Sequence, residues 1–220
     1  QLYKWARVPE DDPGALVAEP YMAESIERPD DTTAIIKLRP GIKWHNIDPV
    51  NGRDLKPEDI ITTWTRIKDP AIESTRITQQ EPVQIPTAVD ASTVQFKFDS
   101  PYAPFYNYIA DVWQSIVATE AAEKGPDWVK QNLIGTGPYK VDKVDLGVEI
   151  VTSAFPIPWW TPWDPNEAAP YYDGVTLPFI PDDIAKQAIA ILGGQLDYGT
   201  VSQADWDTVQ KDSRFGSQLI

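Results

Sequence analysis

The 220 residues contain no cysteine and a single histidine. Without thiols there is no disulfide, no thiolate metal site and no cysteine nucleophile. With His45 alone, a multi-histidine metal site is excluded, and a histidine-based triad has only one possible base. Positive charge is also scarce. Nineteen Lys and Arg face 33 Asp and Glu, for a net charge of −14. That balance argues against nucleic acid, whose phosphates need a basic surface, and against docking on anionic lipid. It tolerates cationic or neutral ligands. No apolar run approaches the roughly 20 residues of a membrane span. An export signal is likewise missing, and the chain starts at Gln1 rather than Met, which predicts a processed protein or a piece of a longer one.

What is present is a 42% hydrophobic composition, enough for a real core, with 21 prolines and nine tryptophans. Leu2 and Trp5 suggest a short strand before the turn at 10–14. In 20–44, Ala34, Ile36 and Leu38 alternate with Thr33, Ile35 and Lys37, giving strand, turn at Asp30-Asp31, strand. The clearest helix is "LKPEDIITTWTRIKDP". Pro57 suits its first position, Glu58 and Asp59 complement its dipole, and Ile60, Trp64 and Ile67 share a face. Val94, Phe96 and Phe98 mark another half-buried strand. "TEAAEKG" reads as a short helix capped by Thr119 and stopped by Gly125, and "PDWVKQN" as another. Residues 137–154 read as strand, turn, strand. "YDGVTLPFI" reads as a strand, "DDIAKQAIAILGG" as a helix with Ile184, Ala188 and Ile191 on one face, "DYGTV" as extended, and "SQADWDTVQKD" as a helix capped by Ser202. Strands and helices mix without a βαβ rhythm, so the fold class is α+β or mixed α/β.

Candidate chemistry is sparse. His45, in "KWHNID", suits a structural or solvent role. The acidic pairs Asp11-Asp12, Asp30-Asp31, Glu58-Asp59 and Asp182-Asp183 have a plain role as turn formers or helix starts; a glycosidase would need two of them facing across a cleft. "GTGPY" at 135–139 lacks the Lys-Ser/Thr of a phosphate loop and precedes a strand, so it marks a tight turn or a close approach. Two aromatic clusters stand out. "DSPYAPFYNYIADVW" holds Tyr102, Phe105, Tyr106, Tyr108 and Trp113. "IPWWTPWDP" sets Trp159, Trp160 and Trp163 among prolines that forbid regular structure. Each cluster suits either a core or a surface that recognises apolar side chains or sugar faces.

Several segments, in order, resemble the family 5 extracellular solute-binding proteins of ABC importers, the group with oligopeptide-, dipeptide- and nickel-binding receptors. They are "MAESIERPDDTTAIIKLRPGIKWHNIDPVNGRDLKPEDIITTWTRIKDP", "LIGTGPYKVD", "FPIPWW" and "PYYDGVTLPFIPDDIAKQAIAILGGQLDYGT". The resemblance covers about residues 15–210. Trp159 falls on the Trp of the family's Tyr-Trp pair, whereas Pro158 replaces its Tyr and Phe155 its usual Asn. The insertion "WTPWDPNEAA" is this chain's own.

The resemblance implies a periplasmic-binding-protein-like (type II) first lobe with a small extra subdomain, the second lobe being absent. Residues 1–41 and 126–220 would form the main part of the first lobe, running towards the hinge, and 42–125 the subdomain. It implies a periplasmic or extracellular, cell-envelope-associated monomer without cofactor or catalysis. Such a receptor captures an oligopeptide, or alternatively an oligosaccharide, in an interlobe cleft and hands it to ABC permease subunits. Expected ligand contacts are Trp159, Trp160 and Trp163, then Tyr198, Gly199 and Thr200 near the crossing between lobes, then Tyr102 and Tyr106 from the subdomain. Readings of another class are a glycosidase and a sensory or regulatory module.

Overall fold

The computed structural model describes residues 1–7, 16–155, 170–180 and 184–211. Two compact units divide the chain, one of residues 1–142 with 152–175 and the other of 143–151 with 176–220.

The first unit opens with an antiparallel hairpin, β1 (Tyr3–Arg7) on β2 (Leu16–Pro20), with Trp5 opposite Ala18. A four-stranded antiparallel sheet follows, built of β3 (Ala23–Asp30), β4 (Thr33–Leu38), β5 (Thr87–Ala88) and β6 (Thr93–Lys97) in the order β3-β4-β6-β5. The alternation expected from the sequence sets its register. Ala34 pairs with Phe96 and Ile36 with Val94, and all four side chains are fully buried. Pro29 lies on edge strand β3, where its missing N–H leaves no ladder bond unmade. The expected turns are made by aspartates: Asp30 Oδ1 accepts from the Thr32 amide (2.8 Å) and Asp90 Oδ1 from the Ser92 amide (2.7 Å). The segment 42–125 supplies two strands of this sheet.

Helix α1 (Pro57–Lys68) starts and stops as its sequence dictates, with Pro57 first and Asp69 as C-cap. Ile60 and Trp64 are buried, and the helix packs on β5 and β6. Short helices α2 (Ile77–Gln80), α3 (Phe105–Ala110), α4 (Thr119–Glu123) and α5 (Pro126–Gln131) complete this unit. Aromatic contacts lock the core: Trp64 to Phe96 at 4.9 Å and Phe98 to Phe105 at 4.8 Å edge-on, and Phe96 to Phe105 tilted at 5.0 Å between centroids.

Strands β7 (Tyr139–Asp145), β8 (Glu149–Ala154) and β9 (Gly174–Pro178) form a separate sheet in that order, and the unit boundary cuts each of them. Helices α6 (Ile184–Leu192) and α7 (Gln203–Lys211) belong to the second unit and pack on each other. Ser202 caps α7: its Oγ accepts from the Asp205 amide (3.1 Å) and donates to the Asp205 carboxylate (2.5 Å).

Two expectations are corrected. Thr119 is the first residue of α4, not its cap, because its hydroxyl is drawn to Asp59 and Thr62. The stretch 197–201, expected to be extended throughout, bends at 197–198, and the Thr200 amide bonds to the Gln187 side chain (3.1 Å).

Candidate functional site

Of the expected contacts, Trp159, Trp160 and Trp163 lie outside the described residues. The other five fall in different units.

Tyr102 and Tyr106 belong to the first unit. Both are half-buried against its core. The Tyr102 ring stacks on Tyr108 at 6.0 Å, and its hydroxyl donates to the Gln79 carbonyl (2.8 Å). Burial, with Tyr108 beside it, pushes the Tyr102 phenol up to about 12, so it stays a neutral donor. The Tyr106 ring meets Tyr3 edge-on at 5.9 Å, with the Arg28 guanidinium 6.0 Å from its centre. Each ring is thus packed against the core and only partly exposed.

Tyr198, Gly199 and Thr200 follow α6 in the second unit. The Tyr198 side chain is 93% exposed. Beside it the Thr200 amide donates to the Gln187 side chain (3.1 Å), and Gly199 has little room for a side chain, since an added Cβ would lie 3.0 Å from Ile191 Cδ1. An exposed aromatic ring of this kind is suited to stacking on a solute.

His45 explains the glycines of 135–137. It is 2% exposed. Its Nδ1 accepts from the Gly135 amide (3.3 Å), so the proton sits on Nε2, which donates to the Gly137 carbonyl (2.9 Å). The His45 amide donates to the Gly135 carbonyl (2.8 Å), and Phe155 packs on the imidazole at 4.8 Å. The ring is a neutral clasp on a loop, consistent with its structural reading. Burial holds its pKa below the usual histidine value, and Lys140 adds to this against the opposing Gly137 bond. The sign follows from the depressed folded value. The unfolded chain takes up the proton first, so stability is full above about pH 6.5 and falls as the pH drops below it. The unfolding free energy from urea titrations at pH 7.5, 6.5 and 5.5 is expected to decline in the wild type by up to about 1.4 kcal/mol per pH unit. His45→Gln should flatten that decline while lowering stability at pH 7.5 by about 1 kcal/mol. An equally steep decline in the variant would refute the clasp.

One residue does more than its sequence reading assigned. Asp59 is fully buried yet charged. It accepts from the Arg53 guanidinium (2.8 and 2.6 Å), the Trp44 indole (3.1 Å) and the Lys56 and Thr119 amides (3.1 and 3.0 Å). Burial alone would raise its pKa. The hydrogen bonds, led by Arg53, outweigh burial and hold the carboxyl below the usual range. Glu120 takes the remaining side of Arg53. This knot ties α1 to α4 and the strand-like segment around Lys43–Asp54. Its only sequence signal was an acid at the third helical position shortly after an arginine.

Among the described residues no group of three acidic or histidine side chains is placed to hold a metal ion. None of the described helices is long and apolar enough to cross a membrane.

The model of the family described as "Bacterial extracellular solute-binding proteins, family 5 Middle" matches residues 17–218. The glutathione-binding protein GsiB of Escherichia coli O6:K15:H31 (strain 536 / UPEC) is 26% identical over 173 residues, covering 78% of this chain and 32% of its own. The oligopeptide-binding protein AppA of Bacillus subtilis, solved with a nonapeptide, superposes with a TM-score of 0.77 at 22% identity, over 96% of this chain and 40% of its own. The binding protein MoaA of A.tumefacien R10, solved with mannopinic acid, superposes at 0.75 with 21% identity, over 96% and 40%. The fold is thus that of periplasmic binding proteins, and the chain spans about a third to two-fifths of these relatives' length.

Proposed function

Since this chain belongs to the bacterial extracellular solute-binding proteins of family 5, we propose that it is the capture component of an ABC importer. The observation that carries this reading is the family match, which runs through 17–218 rather than a single motif. The complete gene product binds its solute between two lobes without breaking a bond, closes about a hinge, and is read by the permease in the closed state. It works in the periplasm or at the cell envelope, as a monomer. Similarity to proteins whose names record glutathione and a nonapeptide favours a peptide-type solute. An oligosaccharide is the second reading, favoured by the nine tryptophans.

Tyr198, 93% exposed, is the described residue best disposed to meet the solute. Tyr102 and Tyr106 contribute the parts of their rings that remain exposed. Trp159, Trp160 and Trp163 complete the proposed set, and Trp160 and Trp163, in the chain's own insertion, set its selectivity. A thermal-shift screen of the complete gene product, peptides against β-linked oligosaccharides, is expected to show stabilisation by peptides. A shift with sugars alone would replace the first reading with the second. Replacing Trp160 and Trp163 together by Ala should weaken the preferred solute by about tenfold or more, with an unchanged melting temperature in its absence. An unaltered affinity would remove both residues from the site.

A further inference from the structure

The segment after α3 presents two large apolar side chains to solvent. Val112 is 65% exposed and Trp113 70% exposed. They are not on a loose loop. The Trp113 amide donates to Asp111 Oδ1 (3.1 Å) and the Gln114 amide to the Asp111 carbonyl (2.9 Å). Ser115 Oγ donates to the Val112 carbonyl (3.2 Å). Gln114 then anchors the segment in the core. Its Oε1 accepts from Gln80 Nε2 (3.1 Å), and Gln80 Oε1 accepts from the buried Trp64 indole (3.1 Å). The indole of Trp113 is held as well, with the Arg76 guanidinium 5.3 Å from its ring centre. Arg76 in turn pairs with Asp111 at 3.6 Å, and these side chains are 25% and 31% exposed.

The fold therefore fixes an exposed tryptophan from below, from its backbone and from one ring face. A ring already immobilised loses little freedom when a ligand covers it, and Trp and Arg are the side chains that dominate binding surfaces. The charge beside the plate narrows the ligand. Arg76 and Asp111 offer a cation and an anion that both reach water, in a long and loosely made pair. A peptide-like solute carries the complementary anion and cation together with apolar side chains. A neutral sugar carries neither charge.

We propose that Val112 and Trp113 form a plate on which the captured solute lays an apolar side chain, with Arg76 and Asp111 receiving the charged groups of a peptide-like ligand. This assignment rests on the solute-binding reading above and names its substrate class. It adds to the binding set a residue, Trp113, that the sequence placed only among core-or-surface aromatics.

The test is retention of an equimolar tripeptide library, spiked with cellotriose, by the complete gene product, with bound species identified by mass spectrometry. The wild type should enrich tripeptides with aliphatic or aromatic side chains over glycine- and serine-only ones. Trp113→Ala should abolish that enrichment by about tenfold or more at an unchanged melting temperature, since the ring is mostly exposed. Arg76→Gln should reduce the preference for free over end-blocked peptides. Enrichment unchanged in Trp113→Ala overturns the plate and leaves the capture reading standing. Retention of cellotriose alone overturns the peptide assignment. A wild type that retains nothing overturns both readings together.

Discussion

Asp59→Asn is expected to lower the stability of the chain by about 3–5 kcal/mol, the usual result of removing one partner from a buried ion pair. The asparagine keeps the shape but not the charge that faces Arg53. It also has one acceptor oxygen where the carboxylate uses two: Oδ1 for Arg53 and Thr119, Oδ2 for Arg53, Trp44 and Lys56. Several buried donors are left without acceptors, and each such group costs free energy that the unfolded chain recovers from water. Glu120→Gln provides the contrast. Glu120 meets the same arginine but is 37% exposed, so its loss should cost no more than about 1 kcal/mol. Urea unfolding of both variants decides the matter, and comparable losses would mean that Asp59 is not the hub. The pH dependence has a definite sign. Because the Asp59 pKa is depressed in the folded state, its contribution is present above the ordinary aspartate value near 3.9 and disappears as the pH falls below it.

Trp64→Ala should be comparably damaging, at about 3–5 kcal/mol. The ring is fully buried on α1, against Phe96 of the sheet, so its removal leaves a large cavity in the core. Its N–H also orders the glutamine relay to Gln114, because an indole can only donate and so fixes which way each amide points. Trp64→Phe separates the two effects. It keeps most of the packing, leaves Gln80 Oε1 without its donor, and should cost about 1–3 kcal/mol. If the phenylalanine variant loses as much as the alanine variant, packing is not the main term. If it loses nothing, the relay contributes nothing to the fold.

Local pattern carried the strands and the longest helix. Alternation at Ala34, Ile36 and Leu38, and at Val94, Phe96 and Phe98, marks buried faces because side chains on a strand point alternately to opposite sides. Pro57 and Asp69 bracket α1 by rules that need only neighbouring residues. Features that depend on distant partners were not legible in this way. Asp59 reads locally as one more acid at a helix start; its importance comes from Thr119 and Glu120, some sixty positions on. Thr119 looked like a cap for the same reason, since its competing partner is invisible to a local reading. The aromatic candidates show the limit most clearly. Composition identifies a surplus of rings but not their depth. Trp44 and Trp64 are buried with their N–H groups bonded to Asp59 and Gln80, whereas Trp113 and Tyr198 are 70% and 93% exposed. Solvent exposure is decided by the fold, and it is what distinguishes a core tryptophan from one available to a ligand.

The central claim is capture without chemistry. The most direct measurement is equilibrium dialysis of the complete gene product against mixed tripeptides and oligosaccharides, followed by mass spectrometry of everything recovered after long incubation. The account predicts saturable retention of one solute class at about one molecule per chain, with every retained molecule recovered intact. Recovery of cleaved sugars or peptides in amounts exceeding the protein would show turnover, and would contradict it.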